Sequence, residues 1–441
     1  MIEKIFLKDI AGYKEEKAEA KKIIEVLKNY KKYAEMGAYI PRGLILSGNP
    51  GVGKTMLAKA IANESNVSFY EFESNESETE AATIKSIKEL FKKARETAPS
   101  IVFIDEFDEL VMTIDFCSDY SRKITKILLT EIDGISSSEG VLVIATTNAR
   151  PMIPPSLIRS GRMDKRITIE MPTTSDREEI FKLYLGRNDN LKDLDAHQLA
   201  LKTANLTGAD IKTLVNETII DCASRGIEKI TIVDFERNIP VVLFQDIRKP
   251  REGKPNDMTC YHEIGHFITE YCLTGFYSSI SIERYGDVLG HVYIDEEVVD
   301  IESVSRNNLK QKLITILGGL AAEEVMCGDV TSGSIDDIEK ARKTIQALMN
   351  VGAFGFDKLL PRVRLGRLSS DEFSLSEKKL ETIEKYECDL LNEAFNKAKG
   401  IIEENKTLVQ IFFKELKEKE KLSERDVKNI LKEHKESEGL R

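Results

Sequence analysis

Tryptophan is absent from this chain of 441 residues, and Tyr (13) and Phe (18) are sparse. Aromatic stacking platforms are therefore not a theme. A basic surplus is missing too: 64 Lys and Arg stand against 75 Asp and Glu, a net charge of −11. Binding a phosphate backbone needs excess positive charge, so nucleic acid is excluded as a general partner. No stretch approaches the roughly 18 apolar residues of a membrane span. The longest apolar-leaning run, Leu313 to Ala322, is too short and holds two glycines. The start, MIEKIFLKDI, alternates charged with apolar residues and is neither a signal nor a transit peptide. The six cysteines include no CxxC pair, so they read as buried thiols in a reducing compartment. A cytoplasmic location is the expectation. No internal repeat or low-complexity tract is visible.

What is present suffices for several cores: 41% of residues are hydrophobic and 32% charged. The length suggests about three domains. Lys14 to Tyr33 reads as an amphipathic helix. Short apolar runs at Gly43 to Ser47, Val67 to Phe72, Ile101 to Ile104 and Val141 to Thr146 read as buried strands, alternating with helices such as Ile84 to Thr97. That alternation predicts a parallel α/β sheet. After Pro172 only helices are expected: Asp176 to Leu185, Ala196 to Thr203, Gly208 to Arg225 and Val233 to Arg237. The segment RKPREGKPND, 248–257, reads as a linker. The remainder is mostly helical, apart from a hairpin-like element in which Ser279 to Glu283 and Gly290 to Asp295 flank Arg284 to Leu289. The expected domains are 1–172 (α/β), 173–242 (small, helical), a linker at 243–256, and 257–441 (mostly helical).

Gly48-Asn49-Pro50-Gly51-Val52-Gly53-Lys54-Thr55 fits GxxxxGK[ST] between a strand and the helix that opens at Met56. Glycines let backbone N–H groups face phosphates, and a helix N-terminus favours anions. Lys54 then reaches the β/γ-phosphates and Thr55 holds Mg²⁺. Asp105 and Glu106 close the third apolar run; Asp105 suits the Mg²⁺ shell and Glu106 can polarise an attacking water. Asn148, after the fourth run, can orient that water or contact the γ-phosphate. Arg159 and Arg162 lie three apart shortly beyond.

Cys260-Tyr261-His262-Glu263-Ile264-Gly265-His266 contains HExxH, and composition alone would yield about 0.01 such matches. Residues i and i+4 share one helix face, so His262 and His266 can hold one Zn²⁺. Zinc lowers the pKa of a bound water, and Glu263 can take its proton. Gly265 inside a helix points to a segment approaching closely. A third ligand must come from elsewhere. Glu323 and Glu324 in one predicted helix, and Asp336 and Asp337 at the start of another, are candidates between which spacing does not choose.

The run from Asp9-Ile10-Ala11-Gly12 through Arg162 resembles an AAA+ ATPase module, and Gly208-Ala209-Asp210 resembles the lid segment of that family. The resemblance implies that Ala11, Gly208 and Ala209 lie at the nucleotide. It also implies a ring, usually a hexamer, with Arg159 and Arg162 acting across subunit interfaces. AAA+ module, linker, HExGH, GGxxAEE and TSGxxxDI in this order resemble the FtsH-type ATP-dependent zinc metalloproteases, over essentially the whole chain. In that family the Asp of the last motif is the third ligand, which corresponds to Asp337, with Glu324 then behind a ligand. The implied cofactors are ATP, Mg²⁺ and Zn²⁺, and the implied substrate is unfolded or misfolded polypeptide. The Ser279 to Asp295 element fits an edge strand that pairs with substrate backbone.

Two departures stand out. Family members usually carry membrane spans ahead of the ATPase, and this sequence begins at the ATPase. The segment matching the family's aromatic pore loop, Glu73 to Thr83, has four Glu, no aromatic residue and no Gly. An acidic loop cannot grip apolar side chains by packing, so threading is expected to be weak, altered or dependent on a partner. Besides an ATP-dependent endopeptidase, two readings stay open: a peptidase of unfolded chains with an uncoupled ATPase, and a non-proteolytic AAA+ remodeller.

Overall fold

The computed structural model describes residues 4–38, 40–72, 79–111, 119–135, 140–148, 153–159, 161–243, 248–249, 256–275, 277–285, 291–294, 306–350 and 377–437. The chain forms two compact units that divide between Phe235 and Glu236.

In the first unit, helices α1 (Lys14–Lys28) and α2 (Tyr30–Glu35) replace the single expected helix, with a break at Asn29. Strand β1 (Gly43–Gly48), α3 (Lys54–Ser65), β2 (Ser68–Phe72), α4 (Glu80–Glu96), β3 (Ser100–Ile104), α5 (Phe107–Val111), α6 (Asp119–Asp133), β4 (Val141–Thr147) and β5 (Lys165–Ile169) follow. All five strands pair in parallel, in the order β2-β3-β4-β1-β5. The apolar runs β3 and β4 are wholly buried, as central parallel strands covered on both faces must be. Strand β5 was not expected. It is an edge strand in which only Ile167 and Ile169 turn inward, so it shows no continuous apolar run. The register sets Ser47 beside Thr147 and Ile104 beside Ala145. The carboxyl ends of β1, β3 and β4 therefore share one rim, where open α/β sheets bind ligands.

Helices α7 (Thr174–Leu185), α8 (Ala196–Leu201), α9 (Gly208–Ser224) and α10 (Ile232–Leu243) come next, and α10 extends past Pro240. Thr173 and Thr207 open α7 and α9 as capping boxes with Asp176 and Asp210, which satisfy otherwise orphaned backbone N–H groups. Part of the segment matched to the pore loop is helix. Thr79 caps α4, and Glu80 to Thr83 belong to that helix; 73–78 lie outside the described residues.

In the second unit, β6 (Arg248–Lys249) precedes α11 (Asp257–Thr274), β7 (Ser278–Ser281), β8 (Arg284–Tyr285), β9 (His291–Ile294), α12 (Arg306–Ile316), α13 (Gly318–Cys327), α14 (Ile335–Asn350), α15 (Glu377–Glu404), α16 (Lys406–Lys419), β10 (Lys421–Leu422) and α17 (Glu424–Ser437). The expected hairpin is present as β7 paired antiparallel with β9. It is not a free edge throughout: β10 covers the other side of β7, so β7 is central and β9 is outermost among the described residues. Strand β6 pairs with β8, so Arg248 and Lys249 of the expected linker are tied into this unit.

The core of this unit is built on α11. Ile264, Phe267 and Ile268 pack with Leu313, Leu317, Ala321, Phe412 and Leu416. Helices α11 and α13 cross almost backbone to backbone. A Cβ added at Gly265 would collide with the Gly318 carbonyl and lie 2.6 Å from Ala322 Cβ. A Cβ at Gly318 would lie 2.6 Å from the Gly265 carbonyl oxygen. The close approach inferred for Gly265 is thus met by Gly318.

Gly to Ala inside a helix ordinarily gains about 1 kcal/mol, whereas overpacking a core costs about 1–3 kcal/mol or more. Gly265→Ala is expected to lower the urea midpoint of the second unit while ATP hydrolysis persists; an unchanged or higher midpoint would mean that the crossing has room to spare.

Candidate functional site

The loop from Gly48 to Gly53 joins β1 to α3 and turns back on itself, with Gly51 (φ 80°) and Gly53 (φ 102°) in left-handed backbone that side chains strain to adopt. Lys54 is buried and its ammonium donates to Gly48 O at 2.9 Å, Asn49 O at 2.8 Å and Asn148 Oδ1 at 2.7 Å. Burial holds it below the ordinary lysine value, although Asp105, Asp108 and Glu106 pull the other way. Thr55 Oγ1 lies 3.2 Å from Asp105 Oδ2. That spacing fits two neighbouring corners of a Mg²⁺ octahedron, about 3.0 Å apart when ligands sit at about 2.1 Å. Ala209 N donates to Gly51 O at 3.2 Å, and a Cβ on Gly51 would meet Thr207 Oγ1 at 2.6 Å, so the α9 N-terminus sits on the phosphate loop. Ala11 lies just before Gly12 and Tyr13, whose N–H groups donate to Glu179 (3.1 Å) and Asp176 (2.9 Å) of α7. Glu106 is exposed beside Asp105 at the rim.

The arginines part company. Arg162 is engaged within its own chain by a bidentate pair with Asp133, both contacts 2.7 Å, and donates to Ser156 O at 2.6 Å. Arg159 is exposed.

In the second unit, His262 Nε2, His266 Nε2 and Asp337 Oδ2 converge, with separations of 3.1 Å between the nitrogens and 3.0 and 3.1 Å from the carboxylate. Edges of a tetrahedral zinc site are about 3.3 Å when ligands sit at about 2.0–2.1 Å. The hydrogen bonds on the far sides of the rings assign the tautomers. His266 Nδ1 faces Thr315 O at 2.9 Å, an acceptor only, so it carries the proton. His262 Nδ1 faces Glu323 Oε1 at 2.8 Å and donates to it. Both Nε2 lone pairs and a carboxylate oxygen thus point at one another with no donor between them, which only a cation or an added proton can reconcile. In the absence of metal a proton does so. Burial opposes charge on His262, but hydrogen bonds to Asp337 and Glu323 outweigh it and push it up to about 10. Burial would raise Asp337 as well, yet its contacts with both histidines hold it far below the carboxylate range.

Asp336, the alternative ligand, is exposed, whereas Asp337 is buried. The residue expected behind a ligand was Glu324; the structure puts Glu323 there instead. Glu323 is 1% exposed and also accepts from Thr331 N at 2.6 Å and Thr331 Oγ1 at 3.0 Å. Glu324, one residue round the helix, pairs with Lys399 at 2.8 Å. Gly319 was missed altogether. A Cβ there would sit 2.7 Å from His262 Cε1 and His266 Nε2, and the glycine doublet at 318–319 was the available signal. Lys340, 3.0 Å from Asp337 Oδ1, left no signal. Glu263 is buried, and burial holds its carboxyl above the ordinary value despite the neighbouring histidines. A raised carboxyl of this kind suits a general base that must also return its proton.

A phosphate loop on a parallel sheet and an HExxH helix completed by an aspartate define the class: a P-loop ATPase joined to a zinc peptidase. Comparison with known proteins agrees. Residues 44–171 match the ATPase family associated with various cellular activities (AAA), 193–237 the AAA+ lid domain, and 251–430 peptidase family M41. The ATP-dependent zinc metalloprotease FtsH of Caldicellulosiruptor bescii is 32% identical over 446 residues, covering 97% of this chain and 72% of that protein. The namesake in Thermotoga maritima is 32% identical over 449 residues (98% and 73%), and that of Acholeplasma laidlawii 31% over 443 residues (97% and 69%). The chain belongs to the FtsH-type family of AAA+ ATP-dependent zinc metalloproteases. It is an enzyme that uses ATP and zinc, and neither the uncoupled nor the non-proteolytic reading is favoured. No helix among the described residues is long and apolar enough to cross a membrane.

Since His262 lies above its ordinary 6.5, its charge stabilises the metal-free fold fully below about pH 6.5 and that contribution is lost as pH rises toward about 10. Zinc must displace this proton. Zinc uptake at pH 7 is expected to release about one proton and to tighten as pH rises, read by calorimetry in buffers of different ionisation enthalpy. Uptake without proton release would contradict the protonated site.

Proposed function

We propose that this chain assembles with copies of itself into a ring, a hexamer on the family pattern, that spends ATP to draw in unfolded or misfolded polypeptide and cuts it at the His262–His266–Asp337 centre. The convergence of these three ligand atoms beside buried Glu263 is the observation that carries the reading. In this reading residues 1–172 form the ATPase, 173–242 its lid, 243–256 the link and 257–441 the peptidase.

His262, His266 and Asp337 would hold zinc, which supplies carbonyl polarisation and a water of lowered pKa. Glu263 takes the proton of the attacking water and delivers it to the leaving amide nitrogen. Glu323 fixes the His262 ring, and Thr315 O fixes that of His266. The outer edge of β9 is the place left for substrate backbone to add a strand. At the sheet rim, Gly48 to Thr55 with Met56 enclose the phosphates, and Ala11, Gly208 and Ala209 close around the nucleotide. Lys54 exchanges its loop carbonyls for phosphate oxygens. Thr55 and Asp105 hold Mg²⁺, while Glu106 and Asn148 orient the attacking water. Arg159 is the arginine offered to a neighbouring subunit; Arg162, tied to Asp133, braces the segment that presents it. The five described cysteines are free thiols, in keeping with a reducing, cytoplasmic setting.

The test is cleavage of a labelled, intrinsically unstructured protein with zinc in ATP, ADP or no nucleotide. Cleavage that requires ATP is expected. Cleavage indifferent to nucleotide would overturn the coupling, and none at all would overturn the peptidase reading. Glu263→Gln should abolish cleavage while zinc content and ATP hydrolysis stay within about twofold. Arg159→Ala should cost roughly 10³-fold or more in ATP turnover, and Arg162→Ala far less; equal losses would assign both side chains to the interface.

A further inference from the structure

One strand end controls both halves of the nucleotide site. Asn148 follows β4 and accepts from Lys54. Two residues earlier, on the same face, Thr146 is 1% exposed. Its single hydroxyl lies between the two acids at the end of β3. The Glu106 N–H donates to Thr146 Oγ1 at 3.0 Å, and Thr146 Oγ1 also hydrogen-bonds Asp105 Oδ1. A carboxylate only accepts, so the hydroxyl proton goes to Asp105 and the oxygen lone pair to Glu106. The direction of the relay is thereby fixed: Glu106 N–H to Thr146, Thr146 O–H to Asp105. A second hydroxyl, from Thr55, reaches the same carboxylate at 3.2 Å. Glu106 needs the support, because it sits at φ 49°, left-handed backbone that a residue with a Cβ rarely adopts.

We propose that Thr146 is the positioning residue of the ATP-hydrolysis site: its hydroxyl sets the rotation of the Asp105 carboxylate toward the divalent cation and fixes the left-handed turn that aims Glu106 at the water. The inference rests on the ATPase reading above. Valine at 146 keeps the shape of threonine but leaves the Glu106 N–H without its acceptor and frees Asp105 to turn about χ1. Serine keeps the hydroxyl and loses only a methyl group.

The probe is Mn²⁺, titrated into the full chain with a non-hydrolysable ATP analogue and followed by electron paramagnetic resonance of the free ion. Groups that orient a metal ligand typically matter by 10–100-fold in metal affinity. Thr146→Val is therefore expected to weaken Mn²⁺ binding about tenfold, to raise the Mg²⁺ concentration needed for half-maximal ATP turnover, and to lower kcat. Nucleotide affinity measured in EDTA should stay within about twofold. Thr146→Ser should restore all three quantities. Equal Mn²⁺ affinity and kcat in wild type and Thr146→Val would overturn the inference, as would a serine variant no better than valine. Should Thr146→Val show no cooperative melt, Ser and Cys carry the comparison: Mn²⁺ affinity must hold in the Ser variant and fall in the Cys variant, whose thiol is only a weak donor, and a Cys variant that binds as tightly as Ser overturns the assignment. A wild-type chain without Mg²⁺-dependent ATP turnover would instead sink the ATPase reading itself.

Discussion

The peptidase centre depends on how closely two helix backbones can approach. Where α11 meets α13, Gly265 and Gly318 leave no room for a single methyl group. Only at that separation does the short Glu323 side chain span to His262, and only a glycine at 319 can lie against both imidazoles. The rest follows in sequence. Glu323 fixes one ring and gathers Thr331 and Ser334. Those residues lead into α14, and two positions into α14 Asp337 enters the site. A steric constraint between backbones is thus converted into the orientation of a charge.

The nucleotide site rests on a different constraint, the register of a parallel sheet. Alignment of the β1, β3 and β4 ends brings Lys54, Asp105 and Asn148 to one rim despite their long separations in sequence. Side chains then refine the arrangement. In both sites a carboxylate proposed to face a metal is held by a donor outside the expected ligand set: Thr146 for Asp105, Lys340 for Asp337. The two donors differ in kind. A buried hydroxyl acts by direction, whereas the Lys340 ammonium, 65% exposed, acts as a screened charge and contributes little by itself.

Elements with a local signal were legible before any coordinates. The phosphate loop, the HExxH helix and the central apolar strands carry their pattern within a few adjacent residues. Gly265 even announced a partner without naming it. Strand β5 was missed because an edge strand buries alternate residues and shows no apolar run. Glu324 was chosen over Glu323 because two adjacent acids are equivalent until helix phase decides which faces inward, and that phase is set by the crossing with α11. Thr146 was invisible for a related reason: a hydroxyl in an apolar strand gains meaning only when the neighbouring strand sets a carboxylate and an N–H against it. The acidic residues after β2 were read as one loop through Thr83, but Thr79 is a helix cap and divides them.

The bond from Ala209 N to Gly51 O joins the lid to the phosphate loop through main chain alone. No side-chain atom takes part in that bond, so a substitution disturbs it by wedging, as any side chain at Gly51 would against Thr207. A rotation of α9 would therefore act on the Gly51 peptide plane directly, as a pull on a lever rather than the breaking of a latch.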